Sequence, residues 1–155
     1  MKAPPAVVVK NFVPADLRRL LTLEAESFGA DAWPRDLFRW YASTFAKLFL
    51  VAKVGARLAG YCVGAIARSR GEIDSIAVFE KYRRLKVGTI LLRALIRILR
   101  RAGAESVSLM VRPANSAAIA LYRKLGFVRR STVADYYGKG SSGWRMTLKS
   151  GVRLR

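Results

Sequence analysis

The sequence predicts an α/β fold formed by a single domain that spans residues 1–155. Three observations point to this class. Short apolar runs with β-branched residues, typical of strands, alternate along the chain with stretches whose apolar residues recur at helical spacing. The 155 residues, 52% of them hydrophobic, suffice for one domain with a real core. Finally, a strand at 71–78 leads through a basic loop into a helix, and the rest of the chain is arranged around this unit.

Each predicted element carries its own signal. Strand-like runs lie at 7–10, 48–54, 58–67, 72–78, 106–112, 127–133 and 144–148. Helical patterns lie at 14–28, 34–46, 87–101 and 116–125. Pro14 suits the first turn of a helix and Asn115 is a good N-cap, while Gly103 and Gly126 follow helix ends. The helix at 34–46 is expected to present four apolar side chains as a buried or lid-like face: Leu37, Trp40, Tyr41 and Phe45.

Composition excludes several kinds of chemistry. The chain has no histidine, so a histidine-ligated metal or a histidine-based triad is excluded, and no metal site is expected. Cys62 is the one cysteine, so no disulfide forms within the chain and a reducing compartment is expected. The N-terminus lacks the apolar core of a signal peptide, and Lys53 and Arg57 interrupt the apolar stretch 48–67. We therefore expect a cytoplasmic protein without membrane association.

The charge balance points to anionic partners. The formal net charge is +19 at pH 7, and a cationic surface attracts polyanions such as nucleotide cofactors, RNA, ribosomes and acidic peptides. Arginine and lysine that only cover solvent-facing surfaces are the alternative. The chain also has no glutamine and only two asparagines, a depletion typical of heat-adapted proteins. A thermophilic source is therefore expected.

The loop from Phe79 to Lys86 is crowded with cations and ends at a helix N-terminus. Free backbone N–H groups and a partial positive charge converge at such a terminus, and this geometry suits an anion, phosphate above all. An ordinary strand–helix connection with a solvated charge run is the alternative that the local sequence leaves open.

The residues of this loop resemble a known motif. Arg83-Arg84-Leu85-Lys86-Val87-Gly88 is similar to the (Arg/Gln)-x-x-Gly-x-(Gly/Ala) loop of the GCN5-related N-acetyltransferase (GNAT) superfamily, whose amides hold the pyrophosphate of acetyl-coenzyme A. The resemblance implies that acetyl-CoA contacts the loop and the preceding strand end: Ile76, Ala77, Val78, Arg83, Arg84, Leu85, Lys86, Val87, Gly88 and Thr89. Lys86 departs from the motif, which has glycine there. Its side chain either crowds the phosphate or adds a cation to it.

A second block makes the resemblance more specific. VRPANSAAIALYRKLGF, residues 111–127, resembles the V-R-x-x-N-x-x-A-x-x-L-Y-x-x-x-G-F block of GNAT enzymes and of the RimI-like peptide N-terminal acetyltransferases in particular. The family fold implied is a mixed, mostly antiparallel sheet of about six to seven strands flanked by about four helices. Asn115 matches the residue that contacts the cofactor arm, and Tyr122 matches the general acid beside the thioester sulfur. An N-cap role and a tyrosine packed between helix and sheet are the structural alternatives.

The general base is less well defined by the resemblance. RimI-like relatives carry a carboxylate where this chain has Met110, which cannot accept a proton. Glu72 matches a position where some relatives have histidine, and it shares one strand face with Asp74 because the two are two residues apart. Either carboxylate could draw a proton through water, with Glu72 preferred. A pair that only balances nearby arginines is the alternative.

The resemblance also implies a peptide-binding region. Glu24 falls on the apolar stripe of the first helix, and Leu23–Phe28 is similar to the segment that shapes the peptide pocket of N-terminal acetyltransferases. Tyr136-Tyr137 matches the tyrosine pair in the loop before the last strand. Together Glu24, Phe28, Tyr136 and Tyr137 are the predicted substrate-binding residues.

Three functions follow from these patterns. The leading one is transfer of the acetyl group of acetyl-CoA to the N-terminal α-amine of proteins or peptides. The second is a GNAT enzyme that acts on a lysine side chain or small amine and makes no use of the tyrosine pair. The third is a non-catalytic domain that binds acetyl-CoA or RNA, favoured by Met110, Lys86 and the high charge.

Overall fold

The computed structural model describes residues 2–154. Its strands are β1 (Val7–Asn11), β2 (Phe49–Val54), β3 (Arg57–Ala67), β4 (Arg70–Val78), β5 (Ser106–Val111), β6 (Val128–Val133) and β7 (Gly143–Lys149). Its α-helices are α1 (Leu17–Phe28), α2 (Arg35–Thr44), α3 (Val87–Arg101) and α4 (Ser116–Leu125). All seven predicted strands and all four predicted helices are therefore present, with ends that differ by a few residues.

The strands are hydrogen bonded in the order β1-β2-β3-β4-β5-β7-β6. The β4–β5 pair is parallel, whereas the recorded pairings of β1 with β2, β2 with β3, β5 with β7 and β6 with β7 are antiparallel. The predicted α/β class with a mixed, mostly antiparallel sheet is confirmed.

The chain separates into two compact units. The first contains the residues up to Gly64 together with Ser75–Ile98, and the second contains Ala65–Asp74 together with the residues from Leu99 onward.

The first unit is built on apolar faces of three helices and its strands. Its wholly buried side chains include Leu20, Phe38, Phe49, Tyr61 and Leu91. Close strand packing needs a glycine at one point, because a Cβ on Gly60 would lie 2.8 Å from the carbonyl oxygen of Ala77.

The face of α2 differs from the prediction. Trp40 is 50% exposed, whereas Phe38, outside the predicted face, is completely buried. Tyr41 is buried as predicted, and Leu37 and Phe45 are half-buried. The apolar face is therefore turned from the predicted one by less than one residue position, toward Phe38. The rings of Phe38 and Tyr61 meet edge to face at 5.5 Å, which explains why this position is the core position.

The second unit has its own core. Val107, Leu109, Leu125, Phe127 and Met146 are all buried. The alternation of buried and half-buried residues along β5 follows the two-residue period of a strand. One face of this strand therefore packs inward, and the other face carries Ser108 and Met110.

Candidate active-site residues

The basic loop is a 3₁₀ helix, Glu80–Leu85, followed directly by α3. Lys86 joins the two in the left-handed conformation, with φ 57° and ψ 32°. This is the backbone conformation that glycine adopts without strain. Lysine thus occupies, at this position, a backbone conformation that favours glycine. The side chains of Arg83, Arg84 and Lys86 are exposed.

The first turn of α3 presents backbone donors beside these cations. Ile90 donates a hydrogen bond to the carbonyl of Lys86 at 3.0 Å. The N–H groups of Val87, Gly88 and Thr89 lie before that bond, and the first N–H groups of a helix have no acceptor within the helix. Three cations, three such donors and the positive end of the helix dipole therefore make this turn suitable for a diphosphate.

The strand end that precedes the loop is half-buried at Ile76 and Val78 and buried at Ala77. These three residues are the last of β4. Their predicted contact with the pantetheine arm is through backbone groups, which no side-chain geometry tests, so it stays a prediction.

Glu24 lies inside the first unit, with 1% of its surface exposed. One carboxylate oxygen accepts a hydrogen bond from the Trp33 N–H at 3.0 Å, and the other accepts one from the Tyr61 hydroxyl. The Ser75 hydroxyl lies 2.8 Å from the Tyr61 hydroxyl. Glu24 therefore connects α1 to the segment before α2 and to β3.

Burial dominates the electrostatics of this cluster. It raises the pKa of Glu24 above the ordinary value, while the hydrogen bonds from Tyr61 and Trp33 oppose the rise. Burial also raises the pKa of Tyr61, and the neighbouring Glu24 carboxylate raises it further. Both oxygens of Glu24 are occupied by protein donors. Phe28, at the end of α1, is 38% exposed, and contact of either residue with substrate stays a prediction.

Asn115 and Tyr122 lie at the two ends of α4. The Asn115 side chain accepts a hydrogen bond from the Ala118 N–H at 3.2 Å, so the predicted N-cap is confirmed. Tyr122 is buried, and its ring packs against Phe127 with a centroid distance of 6.0 Å. Burial, assisted by nearby Tyr137, raises the pKa of Tyr122 to about 12. The hydroxyl is therefore protonated throughout the neutral pH range.

The exposed face of β4, β5 and β7 is polar. Glu72 is in register with Ser108, and Met110 is in register with Arg145. Paired residues project to the same side of a sheet, which brings the carboxylate of Glu72 to 3.5 Å from the guanidinium of Arg145. Glu72 is thus an exposed, ion-paired carboxylate on the same face as Met110.

Tyr136 lies close to both predicted base candidates. Burial is the largest cause that raises the pKa of its hydroxyl. The negative charges of Asp74 and Glu72 raise this pKa further, whereas Arg145 lowers it. Tyr136 is 50% exposed. The structure therefore brings together Glu72, Asp74 and Tyr136, although the sequence assigned them to separate roles.

The loop that carries the tyrosine pair is held from inside the second unit. The guanidinium of Arg112 lies 4.1 Å from the ring centroid of Tyr137 and donates a hydrogen bond to the Ser141 hydroxyl at 3.0 Å. The Tyr137 N–H donates to the Ser141 carbonyl at 2.9 Å. The rings of Tyr136 and Tyr137 meet edge to face at 4.8 Å. Contacts within the second unit thus hold the pair in the loop.

Sequence reasoning missed three residues in these clusters. Arg112 is the second residue of the motif block at 111–127, and its place in that block was the available signal. Arg145 and Tyr61 carried no signal, because their importance comes from partners 73 and 37 residues away in the chain.

A groove of about 610 Å³ in the first unit is lined by residues that include Phe12, Leu17, Arg18 and Arg39, and none of the predicted site residues lines it. Among residues 2–154, no group of three or more metal-binding side chains is close enough to hold an ion. Within the same range, no helix has the length and apolar character needed to cross a membrane.

Comparison with known proteins addresses the family directly. The model of the Acetyltransferase (GNAT) family matches residues 15–127. An N-alpha-acetyltransferase of Sulfurisphaera tokodaii is 35% identical over 127 residues, which cover 74% of this chain and 76% of the relative. The N-alpha-acetyltransferase RimI of Mycobacterium tuberculosis is 32% identical over 151 residues, 94% of each protein. The crystal structure of Ard1 from Thermoplasma volcanium has a TM-score of 0.86 at 28% identity and covers 94% of this chain and 98% of that one.

These matches confirm the resemblance predicted from the two motif blocks, because the matched range contains both of them. The family match, the two relatives above 30% identity and the shared fold agree. The chain belongs to the Acetyltransferase (GNAT) family, and it is an acyltransferase.

Proposed function

We propose that this acyltransferase moves the acetyl group of acetyl-CoA to the N-terminal α-amine of proteins or peptides, by direct attack in a ternary complex. The observation that carries the proposal is that both relatives above, one of them matched over 94% of this chain, are named N-alpha-acetyltransferases. Further support comes from a loop suited to an anion and a buried hydroxyl donor among the described residues.

Acetyl-CoA binds, in this proposal, through its diphosphate at the first turn of α3. The support is the glycine-like backbone at Lys86 together with the N–H groups of Val87, Gly88 and Thr89. Ile76–Val78 pairs with the pantetheine arm, and Asn115 contacts the arm while capping α4. Acetyl-CoA is a co-substrate here, and no metal takes part.

The reaction joins the amine nitrogen to the thioester carbonyl carbon and breaks the carbon–sulfur bond. The amine loses a proton, and the departing thiolate gains one. A phenol with a pKa of about 12 is a weaker acid than a thiol of about 8.5. Complete proton transfer from Tyr122 to the sulfur is therefore uphill in the ground state. We propose that Tyr122 acts as the acid by donating its hydrogen bond to the sulfur as negative charge develops in the transition state.

Glu72, through a water molecule, accepts the proton of the amine in this proposal. Its support is the exposed position beside Tyr136 on the polar face, where an incoming amine is accessible to it. Asp74, on the same face, is the alternative base. An α-amine with a pKa of about 8 is also partly neutral near pH 7, so the base contributes most at low pH.

The peptide N-terminus is held, in the same proposal, by Glu24, Phe28, Tyr136 and Tyr137. Its support is that Arg112 holds the ring of Tyr137 within the loop, which limits the ordering that binding requires. We further propose that residues 1–155 act as a single domain in the cytoplasm of a thermophilic source. The excess of cations is available for association with the ribosome or RNA.

Mass spectrometry after incubation with acetyl-CoA tests the proposal. The substrates are peptides that differ in their first residue, and each has a partner whose α-amine is blocked and whose internal lysine is free. We expect acetylation of the unblocked peptides alone. Acetylated lysine in the blocked peptides would assign the enzyme to side-chain amines instead, and no product with any peptide would overturn the proposed substrate.

A further inference from the structure

One end of the second unit gathers cations from three chain segments. They belong to the β3–β4 turn, the last turn of α3, and the end of β7 with the residues that follow. The six residues of this basic end are Arg68, Arg70, Arg100, Arg101, Lys149 and Arg153.

Backbone hydrogen bonds fix the three segments beside one another. The Glu105 N–H donates to the Ser69 carbonyl at 2.7 Å, and the Ser150 N–H donates to the Glu105 carbonyl at 2.7 Å. The guanidinium of Arg100 donates to the carbonyl of Val152 at 2.8 Å. The three segments that carry the cations therefore lie side by side at this end of the unit.

Strand register gives the spacing of two of these cations. Arg70 is in register with Ser106, which is in register with Lys149. Two strand spacings separate Arg70 from Lys149, so their Cα atoms are about 10 Å apart on the same face. Both side chains are exposed, so this face of the sheet presents two cations to one anionic strand.

Stability alone does not account for the basic end. Cations in the last turn of a helix complement its dipole, which explains Arg100 and Arg101. That argument does not reach Arg68, Lys149 or Arg153, all of which are exposed. Within the segments 68–70, 100–106 and 149–154 there is a single acidic residue, Glu105. The charges of this surface are therefore left largely uncompensated by the protein.

We propose that the basic end binds the phosphate backbone of a polynucleotide. Phosphate contacts are made by arginine, lysine, hydroxyl groups and backbone N–H groups, and Ser69 and Ser150 add hydroxyls to the six cations. The three segments contain no aromatic residue on which a base could stack, so binding is independent of base sequence. An acidic protein would need an apolar centre in its interface, and the surface offers only Val152, 40% exposed, for that purpose.

The location leaves the tyrosine loop accessible. That loop precedes β7, and Lys149 is six residues beyond Gly143, or about 20 Å along the strand. A bound polynucleotide holds the enzyme beside RNA- or DNA-bearing particles without covering Tyr136 and Tyr137. The proposal goes beyond the acetyl-transfer function and does not depend on it.

Fluorescence anisotropy with a labelled 20-nucleotide single-stranded RNA tests the proposal, with DNA of the same sequence and a 20-residue polyglutamate as parallel probes. The variant reverses three exposed cations: Arg68→Glu, Arg101→Glu and Lys149→Glu. The matched control reverses three exposed cations of the first unit: Lys10→Glu, Lys47→Glu and Arg57→Glu. Each reversal lowers the net charge by two, so the formal net charge falls from +19 to +13 in both triple variants. Thermal unfolding verifies that both variants fold.

We expect the variant to bind RNA at least tenfold more weakly than the control at 100 mM salt, with a shallower dependence of binding on salt. Equal binding of RNA and DNA would show that the basic end recognises the phosphate backbone alone. Tighter binding of RNA would identify RNA as the preferred polynucleotide. Equal losses in both variants, no binding by the unaltered protein, or an equal loss with polyglutamate would overturn the proposal. Release of RNA by saturating coenzyme A would also overturn it, because the RNA would then lie at the basic loop of α3. Acetylation of free peptide, measured in parallel, tests the enzyme function separately.

Discussion

Lys86 has a left-handed backbone conformation at the position where the resembled motif has glycine. Its positive φ costs a non-glycine residue about 1 kcal/mol or more. The backbone there has a conformation that glycine adopts without strain, so whether the lysine crowds a phosphate depends on its side chain alone. Its exposed ammonium adds a cation to the loop.

Lys86→Gly should therefore raise stability and weaken cofactor binding together. We expect a gain of roughly 1 kcal/mol in the free energy of unfolding, measured by urea titration. We also expect acetyl-CoA to bind a few-fold more weakly by calorimetry, because one cation is lost. Arg68→Gly is the matched control, since Arg68 has a φ of 56° in the β3–β4 turn. It should show the gain in stability without the loss of affinity, whereas tighter binding by Lys86→Gly would mean that the lysine crowds the diphosphate.

Glu24 is a buried carboxyl whose hydrogen bonds oppose, without cancelling, the effect of burial on its pKa. Its pKa in the folded protein is above the unfolded value of about 4.3. As the pH rises from the unfolded pKa to the folded one, the unfolded chain loses this proton first. The native state then binds more protons than the unfolded state, so this group's contribution to stability falls across that interval.

Glu24→Gln removes this titration while retaining an oxygen that can accept from the Trp33 N–H. We expect the free energy of unfolding of the variant, relative to that of the unaltered protein, to increase as the pH rises from about 4 to about 7. Urea titrations of both proteins at the two pH values measure this change. Tyr61→Phe serves as the comparison, because it removes the other hydrogen bond but leaves the carboxyl to titrate. A difference that is constant with pH would show that Glu24 has an ordinary pKa.

Tyr122→Phe removes one hydroxyl from the second unit and leaves the ring against Phe127. We expect kcat to fall about 10²-fold, because the donor to the developing thiolate is lost. The peptide KM should change little. Tyr41→Phe is the control, a buried tyrosine of the first unit that has no predicted role in the transfer. Steady-state kinetics with a reactive peptide measure kcat and KM of both variants. An unchanged kcat in Tyr122→Phe would remove the hydroxyl from the mechanism.

At the scale of elements, the loop between β6 and β7 depends on a cation from the end of β5. Arg112 contributes a cation–π contact with Tyr137 and a hydrogen bond to Ser141, together worth about 1–2 kcal/mol. Asp135, at positive φ, accepts a hydrogen bond from the Gly140 N–H at 2.7 Å. The loop is thus stabilised by a hydrogen bond between two of its own residues and by the contacts with Arg112.

Arg112→Met should loosen that support. We expect the peptide KM to rise several-fold, because ordering the tyrosine pair must then accompany binding, while acetyl-CoA affinity measured by calorimetry is unchanged. Ser141→Ala, which removes only the hydrogen bond, should have the smaller effect. A fall in acetyl-CoA affinity with an unchanged KM would show that the tyrosine pair supports the fold rather than the peptide.

The elements themselves were largely predictable, because apolar spacing and capping residues act locally. Asn115 and Gly126 marked the ends of α4 correctly, since a cap satisfies its own neighbours. The rotation of α2 was not predictable, because it depends on the partner of Phe38 across the core rather than on the helix sequence. The mixed, mostly antiparallel character of the sheet came from family resemblance, and its strand order was not predicted, since pairing between distant strands leaves no local signal.

The candidate site was likewise predictable where its residues are neighbours in the sequence and not where they are distant. The basic loop of α3 was visible because its cations and helix start are contiguous. The ion pair of Glu72 with Arg145 and the buried contact of Glu24 with Tyr61 were not, because each joins residues far apart in the chain. Exposure and burial, which decide what these carboxylates can do, are properties of the packed structure alone.

At the scale of the whole molecule, the charge is the dominant feature. The chain carries 29 lysines and arginines against 10 acidic residues, and some of those acids are committed to internal contacts. Asp16 is buried against Lys53 at 2.9 Å, and Glu24 is sealed within the first unit. Repulsion among the remaining cations opposes the compact state.

Salt should therefore stabilise this protein. Raising sodium chloride from 20 to 300 mM shortens the screening length from about 20 Å to about 6 Å, which weakens repulsion more than it weakens the buried Asp16–Lys53 pair. We expect the thermal midpoint to rise by about 3–6 °C, equivalent to roughly 1–2 kcal/mol for a chain of this size. The triple reversal Lys10→Glu, Lys47→Glu and Arg57→Glu lowers the net charge and should shrink the response. A midpoint that falls with salt would mean that attractive ion pairs, rather than repulsion, dominate the electrostatics of the folded chain.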